Sequence, residues 1–365
     1  MIISVLSGAR KNAGDYLITE RSEKLIQSCF SDSIICEYPI NESLDHYIDQ
    51  LNGSDVIIVP GGPVMENEYP NAVPLVKDLS MIKKPLVGIG LGWYGRSSCV
   101  NDIYNYSYTR QTLEYLNRLC INHSIGCRDW YTVRTLRNNG IINPVMTGCP
   151  AWYDQEYIKD TQFRDTIVFP FKHITISDPA RRENRRHIIG LVDYLQNTFP
   201  DAELTYVYHR GYSNRGLKEE LLPYSSSKIN SNLVKRGVKI IDISSSSEGL
   251  GIYDRTDLHI GFRVHAHIYC LSHRGISILI EEDGRGAGVN NALSLQGVQA
   301  YAVRASNKMK IIGNSEKTIY IVKAVQDALD RMEKTEYTEI LNAYCVMNKS
   351  YERMIDYINS IKTIL

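Results

Sequence analysis

The sequence predicts an α/β protein built from two Rossmann-like domains facing across a cleft, with helices at its C-terminal end. Three observations lead there. Short apolar runs alternate with longer helical patterns, the signature of βαβ units and parallel sheets. The alternation is laid out twice, once on each side of residue 165. Glycines and charged residues fall at the ends of the apolar runs, where doubly wound sheets bind ligands. The chain has 365 residues, more than the roughly 250–300 at which a single core stops growing. The expected division is 1–165, 166–314 and a helical 315–365.

In the first set, Ile3–Leu6 reads as a buried strand, followed by a polar turn and a helix over Tyr16–Phe30. Val56–Val59 is a β-rich strand ending in Pro60-Gly61-Gly62-Pro63, and Pro85–Gly92 is another that runs into glycines. Tyr108–Asn122 is helical and Ser124–Cys127 is a short strand. Asp129 then caps a helix over Trp130–Asn139, which Gly140 ends. In the second set, Thr166–Phe171 and Ile174–Ser177 are strand-like, Asn184–Asn197 is a helix and Glu203–Tyr208 a strand. Leu217–Leu222 and Ile229–Lys235 read as helical, and Val238–Ile243 and Ile276–Ile280 as strands. Ser315–Thr335 and Thr338–Ile364 are amphipathic helices, possible crossings back to the first domain.

Composition narrows the function. Lys+Arg and Asp+Glu both number 41, so no global charge draws the chain to nucleic acid or an anionic membrane, and any anion site must be local. The 25 tyrosines against 6 phenylalanines suit a carbohydrate groove, or equally a compositional habit. The eight cysteines form no CxxC pair and no zinc-ligand spacing, which points to reduced thiols in a cytoplasm with no metal or other cofactor. The N-terminal apolar run is too short and uncharged for a signal peptide, and no run approaches the ~20 apolar residues that span a bilayer.

The most telling stretch is Gly261-Phe262-Arg263-Val264-His265-Ala266-His267. Arginine and histidine two residues apart at a strand end put a fixed cation beside a titratable proton carrier. That suits a small anion held by its charge and then protonated. The alternative is a satisfied hydrogen-bond network with nearby carboxylates. His267, on a following helix, points away from His265 and packs. Gly284–Gly288 resembles a phosphate-cradling turn, and Arg285 within it adds a cation or is solvated. Near the N-terminus, Asn12, Gly14 and Asp15 follow the first strand. Gly14 lets backbone approach a ligand, and Asp15 caps the next helix or faces the cleft to orient or deprotonate a hydroxyl. Gly61-Gly62 and Gly90-x-Gly92 serve tight turns, while Trp93, Tyr94, Trp130 and Trp152 stack on sugars or belong to core and rim.

Taken in order, these motifs resemble the polysaccharide pyruvyl transferase family over about residues 8 to 300. Asn12-Ala13-Gly14-Asp15 is similar to its NxGD loop, Asp55–Gly62 to its apolar strand and Gly-Gly step, and Pro85–Gly92 to its third strand. Gly126-Cys127-Arg128-Asp129 resembles its "vRD" step, and Phe262–His267 its arginine-x-histidine-alanine signature. The resemblance implies a GT-B-like fold with the acceptor on the first domain. It also implies transfer of the pyruvyl carbons of phosphoenolpyruvate to two sugar hydroxyls, forming a ketal and releasing phosphate. The acceptor is a surface glycan or its lipid-linked oligosaccharide precursor, met in the cytoplasm or peripherally at the inner membrane.

On that resemblance Arg263 holds the phosphoenolpyruvate anions and His265 delivers the proton. Two departures stand out. A second family arginine is missing from Phe169-Pro170-Phe171-Lys172-His173, leaving Lys172 or Arg181 to replace it. Cys149 stands where the family shows an aspartate, in Thr147-Gly148-Cys149-Pro150-Ala151. The competing expectations are a nucleotide-sugar glycosyltransferase, with Glu281 or Glu282 holding the ribose, and a catalytically silent binding protein.

Overall fold

A computed structural model describes residues 1–95, 100–121, 123–211, 224–300 and 314–365. The helix expected over Leu217–Leu222 lies outside the described residues. Contacts divide the chain into two units. The first comprises Met1–Arg10, Asp15–Ile158 and Val346–Leu365, and the second Lys11–Gly14 and Lys159–Cys345.

The first unit holds strands β1 (Ile2–Ser7), β2 (Ile34–Pro39), β3 (Val56–Pro60), β4 (Pro63–Val64), β5 (Leu86–Ile89), β6 (Gly92–Trp93), β7 (Ile125–Cys127) and β8 (Pro144–Met146). Four of them form a parallel sheet in the order β2-β1-β3-β5. β3 is buried along its whole length, as a strand covered on both faces requires, which is why Val56–Val59 reads as a continuous apolar run. Helix Trp130–Asn138 starts where Asp129 Oδ1 accepts the Thr132 backbone N–H at 2.8 Å, and Gly140 follows its end with φ 83°. Helix Thr338–Ser360 contributes its residues from Val346 onward to this unit. There the Tyr357 hydroxyl accepts the Gly126 N–H at 3.0 Å and lies 2.7 Å from the Gly88 carbonyl.

The second unit carries β9 (His173–Ser177), β10 (Glu203–Tyr208), β11 (Lys239–Asp242), β12 (Leu258–Gly261), β13 (Ile276–Glu281) and β14 (Val298–Gln299). They form one parallel sheet in the order β11-β10-β9-β12-β13-β14. The chain builds outward from β9 to β11, then returns to lay β12 against the other side of β9. The order therefore reverses between β9 and β12, the switch point at which doubly wound sheets open a crevice at their carboxyl ends.

The strand expected over Thr166–Phe171 does not form; the segment is turn and irregular chain. Val168 and Phe169 are exposed there. Its backbone is instead gathered by one buried carboxylate: Asp257 accepts the N–H groups of Val168 at 3.0 Å and of Lys172 and His173 at 2.8 Å each. Pro170, with no N–H to give a ladder, fits that arrangement.

Candidate functional site

The switch point of the second unit gathers the charged residues that follow β9, β12 and β13. Gly261 ends β12 so close to β9 that a Cβ there would stand 2.2 Å from Ser177 Oγ and 2.6 Å from its backbone nitrogen. Arg263 then caps helix Val264–Ser272 in an extended conformation. Its fork closes on Asp178, the first residue after β9. Nε donates to Oδ1 at 2.7 Å and Nη2 to Oδ2 at 2.5 Å. Both side chains are buried. Burial works against the Arg263 charge, but Asp178 outweighs it and holds the guanidinium pKa above its ordinary value. Arg263 was expected to hold a substrate anion; the edge suited to bidentate binding is already filled by a carboxylate of the protein. Asp178 Oδ1 also accepts the backbone N–H of His209 at 3.1 Å, tying the end of β10 into the same cluster.

Two further carboxylates follow β13. Glu282 accepts the backbone N–H groups of Ala180 at 2.8 Å and Arg181 at 2.9 Å, and the Asn184 side-chain amide at 2.8 Å. Burial raises its pKa to about 7 against the pull of those bonds and of Arg263. Asp283 caps helix Gly284–Leu293 and is shared by two arginines. Arg285 reaches it through Nε at 3.0 Å and Nη2 at 2.9 Å, and Arg181 Nη2 stands 3.6 Å away. Burial opposes the Asp283 charge, yet the arginines hold its pKa below the usual carboxylate range. Arg181 and Arg285 keep 22% and 24% of their side-chain surface in solvent against 9% for Arg263, although the Nε–Nη2 edge of Arg285 is likewise taken by a carboxylate, that of Asp283. The glycines of Gly284–Gly288 do not form an open cradle. They lie in the helix, Gly284, Gly286 and Gly288 are buried, and a Cβ on Gly286 would sit 3.2 Å from Leu279.

His265 stands in the first turn of helix Val264–Ser272, half-buried. Gly14 packs directly on its ring: a Cβ at Gly14 would lie 2.0 Å from His265 Nδ1, 2.3 Å from Cγ and 2.6 Å from Cβ. The same short segment is fixed by Ala13 N–H donating to the His209 carbonyl at 3.3 Å and by the Lys11 carbonyl accepting Ser245 N–H at 2.9 Å. Asn12 is buried within it. Helix Ala13–Cys29 begins earlier than expected, so Asp15 sits in its first turn, where a carboxylate offsets the helix dipole, and the cap position falls to Asn12.

Of the residues singled out from sequence, the fold therefore brings together Arg263, Arg181 and Arg285 with their carboxylates, and places Gly14 on His265. It does not bring Lys172 to them. Lys172 precedes β9, at the opposite end of the strand from Asp178, and pairs loosely with Asp201 at 3.5 Å. A five-residue strand, about 16 Å at 3.3 Å per residue, separates the two ends. Trp93 and Trp152 are 1% and 0% exposed, so they are core and not sugar platforms, whereas Trp130 is exposed. Sequence reasoning missed Asp178 and Glu282 as partners of the arginines. Asp178 follows an apolar strand immediately, which was the available signal. Among the described residues, no group of three or more His, Cys, Asp or Glu side chains is placed to hold a metal ion, and no helix is long and apolar enough to cross a membrane.

Residues 12–283 match the family described as polysaccharide pyruvyl transferase. No curated relative matches the chain in sequence. Among solved structures, the chain is similar to the Staphylococcus aureus MnaA–UDP complex, at 14% identity and TM-score 0.57, over 100% of this chain and 97% of that one. It is also similar to the UDP-GlcNAc 2-epimerase of Neisseria meningitidis bound to UDP-GlcNAc, at 12% identity and TM-score 0.53, over 97% of this chain and 98% of that one. At such identities the likeness is one of fold, the GT-B class of α/β proteins.

Proposed function

This chain belongs to the polysaccharide pyruvyl transferase family, and on that premise we propose that it transfers the pyruvyl group of phosphoenolpyruvate to a glycan or its lipid-linked oligosaccharide precursor. The enzyme is a transferase. The observation that carries the reading is the seating of Gly14 on the His265 ring beside a cluster of arginines at the switch point. It joins the two motifs most separated in sequence around one proton carrier.

In this reading Arg181 and Arg285 hold the phosphate or carboxylate of phosphoenolpyruvate. Both arginines meet the Asp283 carboxylate, and guanidinium groups take carboxylate and phosphate in such charge-assisted pairs. Arg263, locked to Asp178, contributes a fixed positive field and one remaining nitrogen, Nη1. His265 gives its proton to the methylene carbon, the double bond's electron pair forms the new C–H bond, and an oxocarbenium-like centre remains. One sugar oxygen adds to that centre and releases its proton to a base, for which Asp15, the residue after Gly14, is assigned. The phosphate then leaves with its bonding electrons and the proton held by Asp15, and a second sugar oxygen closes the ketal as its proton returns to the neutral His265. Lys172 has no part. The reaction takes place in the cytoplasm or at the inner face of the membrane where a lipid-linked acceptor is presented.

The nucleotide-sugar alternative rests on fold alone. Glu282 accepts three donors and Glu281 Oε1 accepts the Asn290 amide at 2.8 Å, so both buried carboxylates already serve the protein's own hydrogen bonds. Mass spectrometry of candidate glycans incubated with phosphoenolpyruvate tests the proposal: a pyruvyl ketal is expected. Thermal stabilisation by UDP- or GDP-sugars with none by phosphoenolpyruvate would favour the glycosyltransferase. Binding without turnover would favour a silent protein.

A further inference from the structure

Beneath the switch point runs a file of buried polar side chains that the proposed chemistry does not use. We propose that Ser177, His259, Ser277 and His267 are positioning residues: a one-directional hydrogen-bond chain that fixes the turn presenting Arg263 and His265. The proposal rests on the reading of that turn as the functional site.

The bonds are short and continuous. The Arg263 backbone N–H donates to Ser177 Oγ at 3.1 Å, and Ser177 Oγ lies 2.9 Å from His259 Nε2. His259 Nδ1 is 2.7 Å from Ser277 Oγ, which is 2.7 Å from His267 Nδ1. All four side chains are at most 1% exposed. They are shut off from bulk solvent, so each proton needs an acceptor close by.

That requirement sets the direction. Ser277 touches two imidazole nitrogens and has one proton, so it donates to one histidine and accepts from the other. If it donated to His259, then His259 Nε2–H would point at Ser177, and the Ser177 proton would have no acceptor. In the other order every contact from Arg263 to His267 Nδ1 has one donor and one acceptor. Ser177 donates to His259 Nε2, His259 Nδ1–H donates to Ser277, and Ser277 donates to His267 Nδ1. His267 Nε2–H then faces the Asn290 side chain, although neither Nε2 nor Asn290 Oδ1 makes a hydrogen bond within ordinary distance and angle limits. Asn290 passes on to Glu281 at 2.8 Å. Burial keeps both imidazoles neutral, as a chain of single tautomers demands.

The chain ends on the backbone N–H of Arg263, at the point where the chain leaves the strand, and Gly261 admits Ser177 to it. A geometry this fixed is what a proton carrier needs, since a misplacement of about 1 Å costs on the order of 100-fold in rate.

Nitrogen-15 NMR of the full chain reads the tautomers directly. His259 is expected to carry its proton on Nδ1 and His267 on Nε2; the reversed assignment overturns the proposal whatever reaction the protein catalyses. Two variants test the consequence. His259→Gln keeps an acceptor and a donor side by side, while His259→Leu keeps only bulk. In His259→Leu the His265 ring should titrate at a shifted midpoint, and kcat for ketal formation should fall on the order of 100-fold with KM for phosphoenolpyruvate changed less than about 3-fold. His259→Gln should restore both. Should His259→Leu not fold, Ser177→Ala removes the first link with a smaller change. A folded variant of either kind with the parental His265 titration overturns the proposal. Absence of ketal formation in the parent would instead defeat the pyruvyl reading, leaving the tautomers and the His265 midpoint to decide the chain.

Discussion

Replacing Gly14 with alanine adds one methyl group where the structure has no room for it. The new Cβ would lie 2.0 Å from His265 Nδ1 and 2.3 Å from Cγ, well inside the ~3.5–4.0 Å of ordinary contact. Rotation of the His265 side chain about its Cα–Cβ bond can move those two atoms. It does not clear His265 Cβ at 2.6 Å, which the helix backbone holds in place. The segment Lys11–Gly14 must therefore shift. Overpacking of this kind costs about 1–3 kcal/mol. Alanine at a helix's first turn returns up to about 1 kcal/mol relative to glycine. The net loss of stability is then roughly 0–3 kcal/mol. Turnover responds to displacement, not to stability, and should fall on the order of 100-fold. Paired measurement of denaturant unfolding and ketal formation separates the two. In a His265→Gly background, where all three obstructing atoms are gone, Gly14→Ala should cost nothing or stabilise. An equal cost in both backgrounds, or full turnover in Gly14→Ala alone, would refute the contact as the cause.

Asp178→Ala strands a buried guanidinium and should destabilise by about 3–5 kcal/mol in urea unfolding, whereas the double change Asp178→Ala/Arg263→Met recovers much of it. Arg181→Ala or Arg285→Ala should abolish thermal stabilisation by phosphoenolpyruvate, and Lys172→Ala should leave it intact; the opposite pattern would move the anion site to the other end of β9. Stability should also depend on acid in a defined way. Burial depresses His209, His259 and His267 below their ordinary value, His267 to about 3, so the unfolded chain binds more protons below about pH 6.5 and stability falls with pH there. Glu68 and Glu282, raised by burial to about 7, act in the opposite sense between about 4.5 and 7, where the folded chain binds the extra protons. The loss should therefore be shallow from pH 6.5 to 4.5 and steep below, approaching about 1.4 kcal/mol per pH unit for each histidine. A curve steepest near pH 6 would contradict this assignment.

Much of the scaffold could be read from the chain because its signals are local. Val56–Val59 and Ile276–Ile280 are runs of β-branched and apolar residues, and both are buried strands. Asp129 caps its helix as its type and position require. Ile34–Pro39 went unread because it is an edge strand with little buried surface, and its mixed residues give no clear period. Thr166–Phe171 misled for the converse reason. Strand-forming residues make a strand only where a sheet edge accepts them, and here Asp257 takes the backbone N–H groups instead.

The chain alone determined the α/β class, the two-fold alternation, and an arginine and histidine at a strand end, since periodicity and strand termini are written in neighbouring residues. The tertiary structure decided what those side chains face. Arg263 meets Asp178 across 85 positions because the strand order reverses between β9 and β12, and no local pattern encodes that reversal. His265 meets Gly14 because the loop after β1 is gathered into the second unit. Whether a guanidinium is an open clamp or a locked strut depends on which carboxylate the fold sets beside it, and that is fixed only when distant strands pair.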